Sequence, residues 1–402
     1  MEQTTPRADG PAELGIGVVG FGWMGQVHTR AYTRVRHHYP DLAVTPRLVA
    51  VVDEVADRAE HDARPYGFPR VARHWRELVE DPEIEAVSVT VPNFLHREIG
   101  VAFAEAGKHL WIEKPVGRDL AEARDVARAV AAGGVRSTVG FNYRFVPAVA
   151  HARQLIRDGQ LGRVTHASVR LLADYAAHPQ GVLSWRFQRA LAGSGVMGDL
   201  VSHGIDLVHH LLGDVDRLVA DEAVFIPERP RPGGATSHYA TGDGELGPVE
   251  NEDWVACLLR LASGGRVTLE ASRVSVGEQN NYGFEVHGTD GAVAWDFRRM
   301  GELVHTAGDG HQNQARTTVL VGPGHGEVHR FQPAASIPMS FDDLKVAEAA
   351  SFLRSIAEQE PHGPTIDDAV RAAAAMQAMT RSLASGTWEQ VERFVPEAEG
   401  IS

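Results

Sequence analysis

The sequence predicts an N-terminal α/β domain with a doubly wound parallel sheet. An α+β domain with a large, mostly antiparallel open sheet follows it. Three observations carry this. Apolar runs at 14–19, 47–53, 86–91, 108–113 and 135–141 alternate with helical segments over short connections, the pattern of a parallel sheet with crossover helices. After residue 142 the runs become β-rich, at 163–172, 218–226, 254–261, 266–274, 284–287 and 292–297, with Gly264-Gly265 at hairpin spacing. A chain of 402 residues is long for one core, so two domains are expected. They are placed at 14–141 and 142–402, after a loose polar tail at 1–13.

The first strand runs into Gly20-Phe21-Gly22-Trp23-Met24-Gly25, a G-x-G-x-x-G spacing. The first glycine permits a tight turn, the second lets backbone approach a pyrophosphate, and the third packs the next helix close to the strand. That helix, at 23–35, aims its N–H groups and positive dipole end at phosphates. All six residues are expected to hold a dinucleotide, making this a Rossmann-type domain. The second strand ends at Asp53, farther from the glycines than the usual ~20 residues, which suggests an inserted loop around 37–46. Asp53 can accept the ribose hydroxyls, and with Glu54 it repels a 2′-phosphate, so NAD is favoured over NADP. A plain turn residue at the strand end is the other reading of Asp53.

Helices follow from 55, at 75–80, 96–106 and 120–132, and a strand ends at Glu113-Lys114-Pro115. Ligands of open α/β sheets bind outside such strand ends, which points Lys114 at the cofactor. In the second half, helices are expected at 147–158, 341–358 and 366–385. Ser340 caps the second, and Thr365 with Asp368 the third. Residues 228–250 and 307–327 are Gly/Pro-rich and read as long loops.

Composition excludes several classes. A net charge of −14 argues against nucleic acid or an anionic membrane as partner. Cys257 is the single cysteine, so no intramolecular disulfide forms, and a reducing cytoplasm is the expected home. The polar start is not expected to be a signal peptide, and no apolar run reaches membrane length.

Asp199, His203 and Asp206 stand at i, i+4 and i+7, one face of a helix whose other sides are apolar. An imidazole there can take a proton near neutrality. A metal site is the competing reading, but no further cluster at ligand spacing completes a shell, so no metal is expected. A structural His–Asp pair is the third.

The chain resembles the Gfo/Idh/MocA oxidoreductases over nearly its whole length. The resemblance rests on GFGWMG at 20–25, Asp53, TVPNFLH at 90–96, EKP at 113–115, GFNYRF at 140–145, LGRV at 161–164 and GDLVSHGIDL at 198–207. It implies catalysis by Lys114, Asp199 and His203 beside the nicotinamide, with a cis Lys114–Pro115 bond. It implies cofactor contacts at Pro92, Asn93, His96, Glu113 and Lys114. Substrate contacts are expected from Lys114, Tyr143, Arg144, Trp185, Arg186, Asp199 and His203. Tyr175 and His178 lie in the same variable segment, and Arg144 and Arg186 leave room for an anionic substituent. The implied reaction oxidises a secondary hydroxyl of a sugar, anhydro-sugar or cyclitol, with His203 as base and NAD as acceptor. The SWR and AGSG stretches are similar to those of relatives that oxidise cyclitols and anhydro-sugars. A keto-sugar reductase using NADPH, a redox-neutral glycoside reaction and a non-catalytic dinucleotide sensor are the alternatives. An uncovered second sheet implies a homo-oligomer, dimer or tetramer.

Overall fold

The computed structural model describes residues 11–234, 239–308 and 310–394. The expected tail therefore lies outside the described residues up to residue 10. Its last part is not loose: Ala12 and Glu13 already pair with Val44 and Thr45.

Six parallel strands form the first sheet: β1 (Ala12–Val19), β2 (Val44–Val52), β3 (Arg70–Val71), β4 (Ala86–Val89), β5 (His109–Ile112) and β6 (Ser137–Val139). Their spatial order is 3-2-1-4-5-6, and the reversal between β1 and β4 opens the crevice where such sheets bind ligands. Helices α1 (Trp23–His38), α2 (Ala56–Asp62), α3 (Trp75–Glu80), α4 (His96–Glu105) and α5 (Leu120–Ala132) make the connections. The inserted loop expected at 37–46 is absent: α1 runs to His38, β2 starts at Val44, and only residues 39–43 join them. Arg36 and His37, which read as loop, lie on the exposed side of the last turn, where cations suit the helix dipole. Pro46 is tolerated in β2 because β3 pairs only with Ala50 and Val51, leaving that stretch one neighbour.

The second sheet has nine strands: β7 (Val164–Ala173), β8 (Val215–Ala223), β11 (Trp254–Leu261), β12 (Arg266–Ser272), β13 (Asn280–Gly288), β14 (Gly291–Asp296), β15 (Glu302–Ala307), β16 (Thr317–Leu320) and β17 (Glu389–Gln390). A separate ribbon pairs β9 (Glu228–Pro230) with β10 (Leu246–Pro248). All neighbours in the large sheet are antiparallel except β7 and β12. The two expected loops thus hold strands β9, β10 and β16, and β15 was not expected. All four are short, and only a few of their residues are buried, so they carry little apolar signal.

Along β7, Ala167, Val169, Leu171 and Ala173 are buried while the alternate residues are open or half-open, so one face meets the core and the other does not. The covered face meets α6 (Pro147–Arg157), α8 (Ser202–Leu212) and α10 (Ile366–Ser385); a four-residue helix, α7 (Arg189–Ala192), precedes α8. Helix α9 (Phe341–Glu358) instead joins the first sheet. Its Val346, Ala350, Phe352, Leu353 and Ile356 share one core with Leu14, Ile16, Val18, Ala31 and Val35. Capping boxes start α9 at Ser340 with Asp343 and α10 at Thr365 with Asp368. No helix among the described residues is long and apolar enough to cross a membrane.

Candidate active site

The glycine turn after β1 is built for close approach. Gly20 has φ +88°, and a Cβ on Gly25 would stand 2.0 Å from the Gly20 oxygen. Gly22 faces open space, and the first turn of α1 has neither an acidic residue nor a side-chain cap, which suits an incoming phosphate. Trp23 is exposed and stacks on Phe341, with ring centroids 5.3 Å apart. Asp53 is buried at the end of β2. Its Oδ2 accepts the Phe21 N–H at 2.6 Å and its Oδ1 the Val55 N–H at 2.8 Å. The carboxylate therefore holds the glycine turn, and the turn-residue reading of Asp53 is part of its role. Asn93 donates from Nδ2 to the Ala192 carbonyl at 2.7 Å, while its buried Oδ1 has no partner among the described residues. An acceptor stranded in this way fits the carboxamide of a nicotinamide, so the crevice suits a dinucleotide at both ends.

Two expected cofactor contacts are otherwise engaged. The ring nitrogens of His96 lie 2.8 Å from the carbonyls of Pro115 and Val91. The buried imidazole thus sits against the Lys114–Pro115 turn, whose peptide bond is cis, with both ring nitrogens facing backbone carbonyls. Glu113 points into a buried cluster: its Oε1 lies 2.6 Å from Lys345 Nζ and 3.0 Å from His28 Nε2. Lys345 also pairs with Glu348, which accepts from Trp111 Nε1 at 2.5 Å. Burial is the largest influence on the Glu113 carboxyl and raises it, but Lys345 and His28 together hold it well below the usual range. Burial pushes Glu348 up to about 7 against the pull of Lys345. Lys345 and Glu348 were missed at the sequence level; a charged i, i+3 pair on the apolar side of a helix was the available signal.

The helix that carries Asp199 and His203 does not start as a regular α-helix. Residues Met197–Val201 form a wide π turn, and the α-helical stretch begins at Ser202; such turns often mark functional sites. The stripe of Asp199, His203 and Asp206 is split as a result. Asp206 faces Arg144, whose Nη2 lies 2.5 Å from Asp206 Oδ1 and 2.9 Å from Asp368 Oδ1. Burial pushes Asp206 up to about 6 while Arg144 opposes it. With its guanidinium spent on two carboxylates, Arg144 is not free for an anionic substituent, contrary to expectation.

Asp199 faces the other way. Lys114 Nζ donates to its carbonyl at 2.8 Å and to its Oδ1 at 3.0 Å, and the half-buried Tyr175 hydroxyl donates to its Oδ2 at 2.5 Å. An ammonium has three protons, so Lys114 keeps one beyond these two bonds. The His203 ring packs 4.8 Å from the Tyr143 ring and makes no hydrogen bond to another described residue. Burial, then the Lys114 charge, holds its pKa well below the ordinary value, with Glu113 and Asp199 opposing. The imidazole is therefore neutral at pH 7. Tyr282, which the sequence did not single out, packs against Tyr143 at 6.0 Å. Arg186 lies over the Trp185 ring at 4.4 Å, and Trp185 meets Phe94 edge-on beside Asn93.

Known proteins share this chain's sequence pattern and architecture. Residues 14–141 match an oxidoreductase family with an NAD-binding Rossmann fold, and residues 149–294 match the GFO/IDH/MocA C-terminal domain. Levoglucosan dehydrogenase of Pseudarthrobacter phenanthrenivorans is 35% identical over 385 residues, covering 95% of this chain and 99% of the relative. The 1,5-anhydro-D-fructose reductase of Ensifer adhaerens is 30% identical, over 86% of this chain and 91% of the relative. A solved levoglucosan dehydrogenase in complex with NADH and levoglucosan has a TM-score of 0.89 at 33% identity, covering 95% of this chain and 100% of that one.

Proposed function

Because the chain belongs to the GFO/IDH/MocA family of oxidoreductases, we propose that it oxidises a secondary hydroxyl of a sugar, anhydro-sugar or cyclitol to the ketone, with NAD as cofactor and His203 as general base. The observation that carries this reading is the meeting of Lys114 and Tyr175 on Asp199, on the same helix as a neutral His203 with no hydrogen bond to another described residue.

Bound nicotinamide supplies the hydride acceptor. The turn at 20–25, Asp53 and Asn93 hold the dinucleotide. His203 removes the hydroxyl proton, which a neutral imidazole can do and an imidazolium cannot. Lys114 gives its remaining N–H to the same oxygen and favours the negative charge developing there. Asp199, held from both sides, accepts a hydrogen bond from the reacting hydroxyl or its neighbour and fixes the donor carbon. Tyr143 and Tyr282 wall the ring. Levoglucosan heads the list of candidate substrates, since a levoglucosan dehydrogenase is 35% identical to this chain.

The open face of the large sheet is assigned to a second copy of the chain, in a homo-dimer or tetramer. The test of the activity is NADH formation from levoglucosan, other anhydro-sugars, inositols and hexoses, each with NAD and with NADP. Strong NADH formation from one ring polyol is the expected result. Silence across the panel with tight NAD binding would overturn the oxidising direction, and failure to bind either dinucleotide would overturn the cofactor assignment.

A further inference from the structure

Residues 251–253, Asn-Glu-Asp, are three consecutive polar residues with at most 1% of their surface exposed. A strand would turn alternate side chains outward, yet here all three are buried just ahead of β11. Each holds a different piece of the substrate side of the molecule. Asn251 donates from Nδ2 to the Arg186 carbonyl at 2.8 Å, and its Oδ1 accepts from Arg273 Nη2 at 3.0 Å. Asp253 accepts Arg273 Nε on one oxygen and the N–H groups of Phe225 and Ile226 on the other. Arg273 and Arg229 sandwich the Phe187 ring, at 4.5 and 4.2 Å from its centroid.

Glu252 reaches the catalytic helix. Its Oε1 accepts the Gly195 N–H at 2.7 Å and the Met197 N–H at 2.9 Å, and its backbone carbonyl accepts the Val196 N–H at 3.0 Å. Three successive N–H groups at the start of the π turn thus end on one residue. Val196, the residue ahead of that turn, offers no side-chain cap, and buried N–H groups at a helix start must find acceptors. The fit is close: a Cβ on Gly195 would stand 2.2 Å from the Glu252 carbonyl oxygen. Oε2 has no partner among the described residues, so the side chain works through one oxygen.

We propose that Glu252 is a positioning residue for Asp199 and His203. By anchoring the N–H groups of residues 195–197 it sets where the wide turn begins, and so which way Asp199 and His203 face. Its kinetic consequence rests on the dehydrogenase reading; its structural consequence does not. The test uses the full chain carrying Glu252→Gln, Glu252→Ala or Glu252→Asp. Steady-state kinetics, NAD affinity and amide hydrogen exchange over residues 193–203 are measured on each. The glutamine variant keeps the oxygen both N–H groups use, so turnover and exchange stay within about threefold of the parent. The alanine variant removes it: exchange at 193–203 rises, kcat falls about a hundredfold, and NAD affinity is unmoved. Should the alanine variant fail to fold, the aspartate variant serves, since it keeps the charge but withdraws the oxygen by one methylene; it too loses kcat. The proposal is overturned if glutamine falls as far as alanine, if removing the oxygen changes neither kcat nor local exchange, or if exchange rises equally across the molecule. A parent inactive on every polyol, with the local exchange pattern intact, would sink the dehydrogenase reading and leave Glu252's structural role standing.

Discussion

At the scale of residues, the carboxylate of Asp199 is shared between Lys114 at 3.0 Å and Tyr175 at 2.5 Å. Tyr175→Phe removes one donor and keeps the ring. A hydrogen bond to a charged group contributes about 1.5–3 kcal/mol, so kcat/KM for the polyol should fall roughly ten- to hundredfold while NAD affinity holds. Equal loss in NAD affinity would mean the hydroxyl serves packing instead. His203→Ala should cut kcat by ~10²–10⁴ with NAD binding intact; unchanged turnover would move the base elsewhere. The pH profile tests the same residue. A base must be unprotonated to act, and burial and Lys114 hold His203 well below 6.5, so the acid limb of kcat/KM should fall below that pH. A limb at or above neutrality would assign it to another group. Lys114, Asp199 and His203 were legible in the sequence because they stand in short motifs with strict spacing. His96, Glu113 and Arg144 stand in motifs too, yet their partners decide their roles, and Lys345, Asp206 and Asp368 lie far along the chain.

At the scale of elements, the alternation of strands and helices in the first unit was legible because buried parallel strands read as apolar runs. The end of α1 was not, since an exposed basic last turn and a loop have the same composition. The π turn was not either, because a helical stripe read at 3.6 residues per turn cannot show a turn that widens by one residue. The buried cluster ties α9 to β5 through Lys345 and Glu113. Lys345→Met leaves two buried acids without their cation, a change that typically costs about 3–5 kcal/mol, so Tm should drop. Glu348 is pushed up to about 7 even with the lysine present. A raised carboxyl pKa means the folded state prefers the neutral acid, so stability is lost as pH rises through it. The drop should therefore be deeper at pH 8 than at pH 6, as thermal scans at both would show; an equal drop would mean the cluster is held by packing.

At the scale of the whole molecule, the nine-stranded sheet leaves one face without helices among the described residues. Leu258 is 49% exposed there, near Arg260, whose guanidinium covers Trp388. If a second copy covers this face, Leu258→Arg should shift light-scattering mass toward the monomer without altering the fold; an unchanged mass would place any interface elsewhere. Helix α9 gives the architecture an order in time. It belongs by sequence to the last part of the chain but by packing to the first sheet, where it completes the core around β1 and α1 and supplies Lys345 to Glu113. During synthesis the nucleotide-binding unit emerges ahead of α9 and cannot finish until that helix has left the ribosome. A nascent chain stalled after residue 141 would hold its glycine turn on an unfinished core, and the dinucleotide pocket would become competent only once α9 has docked.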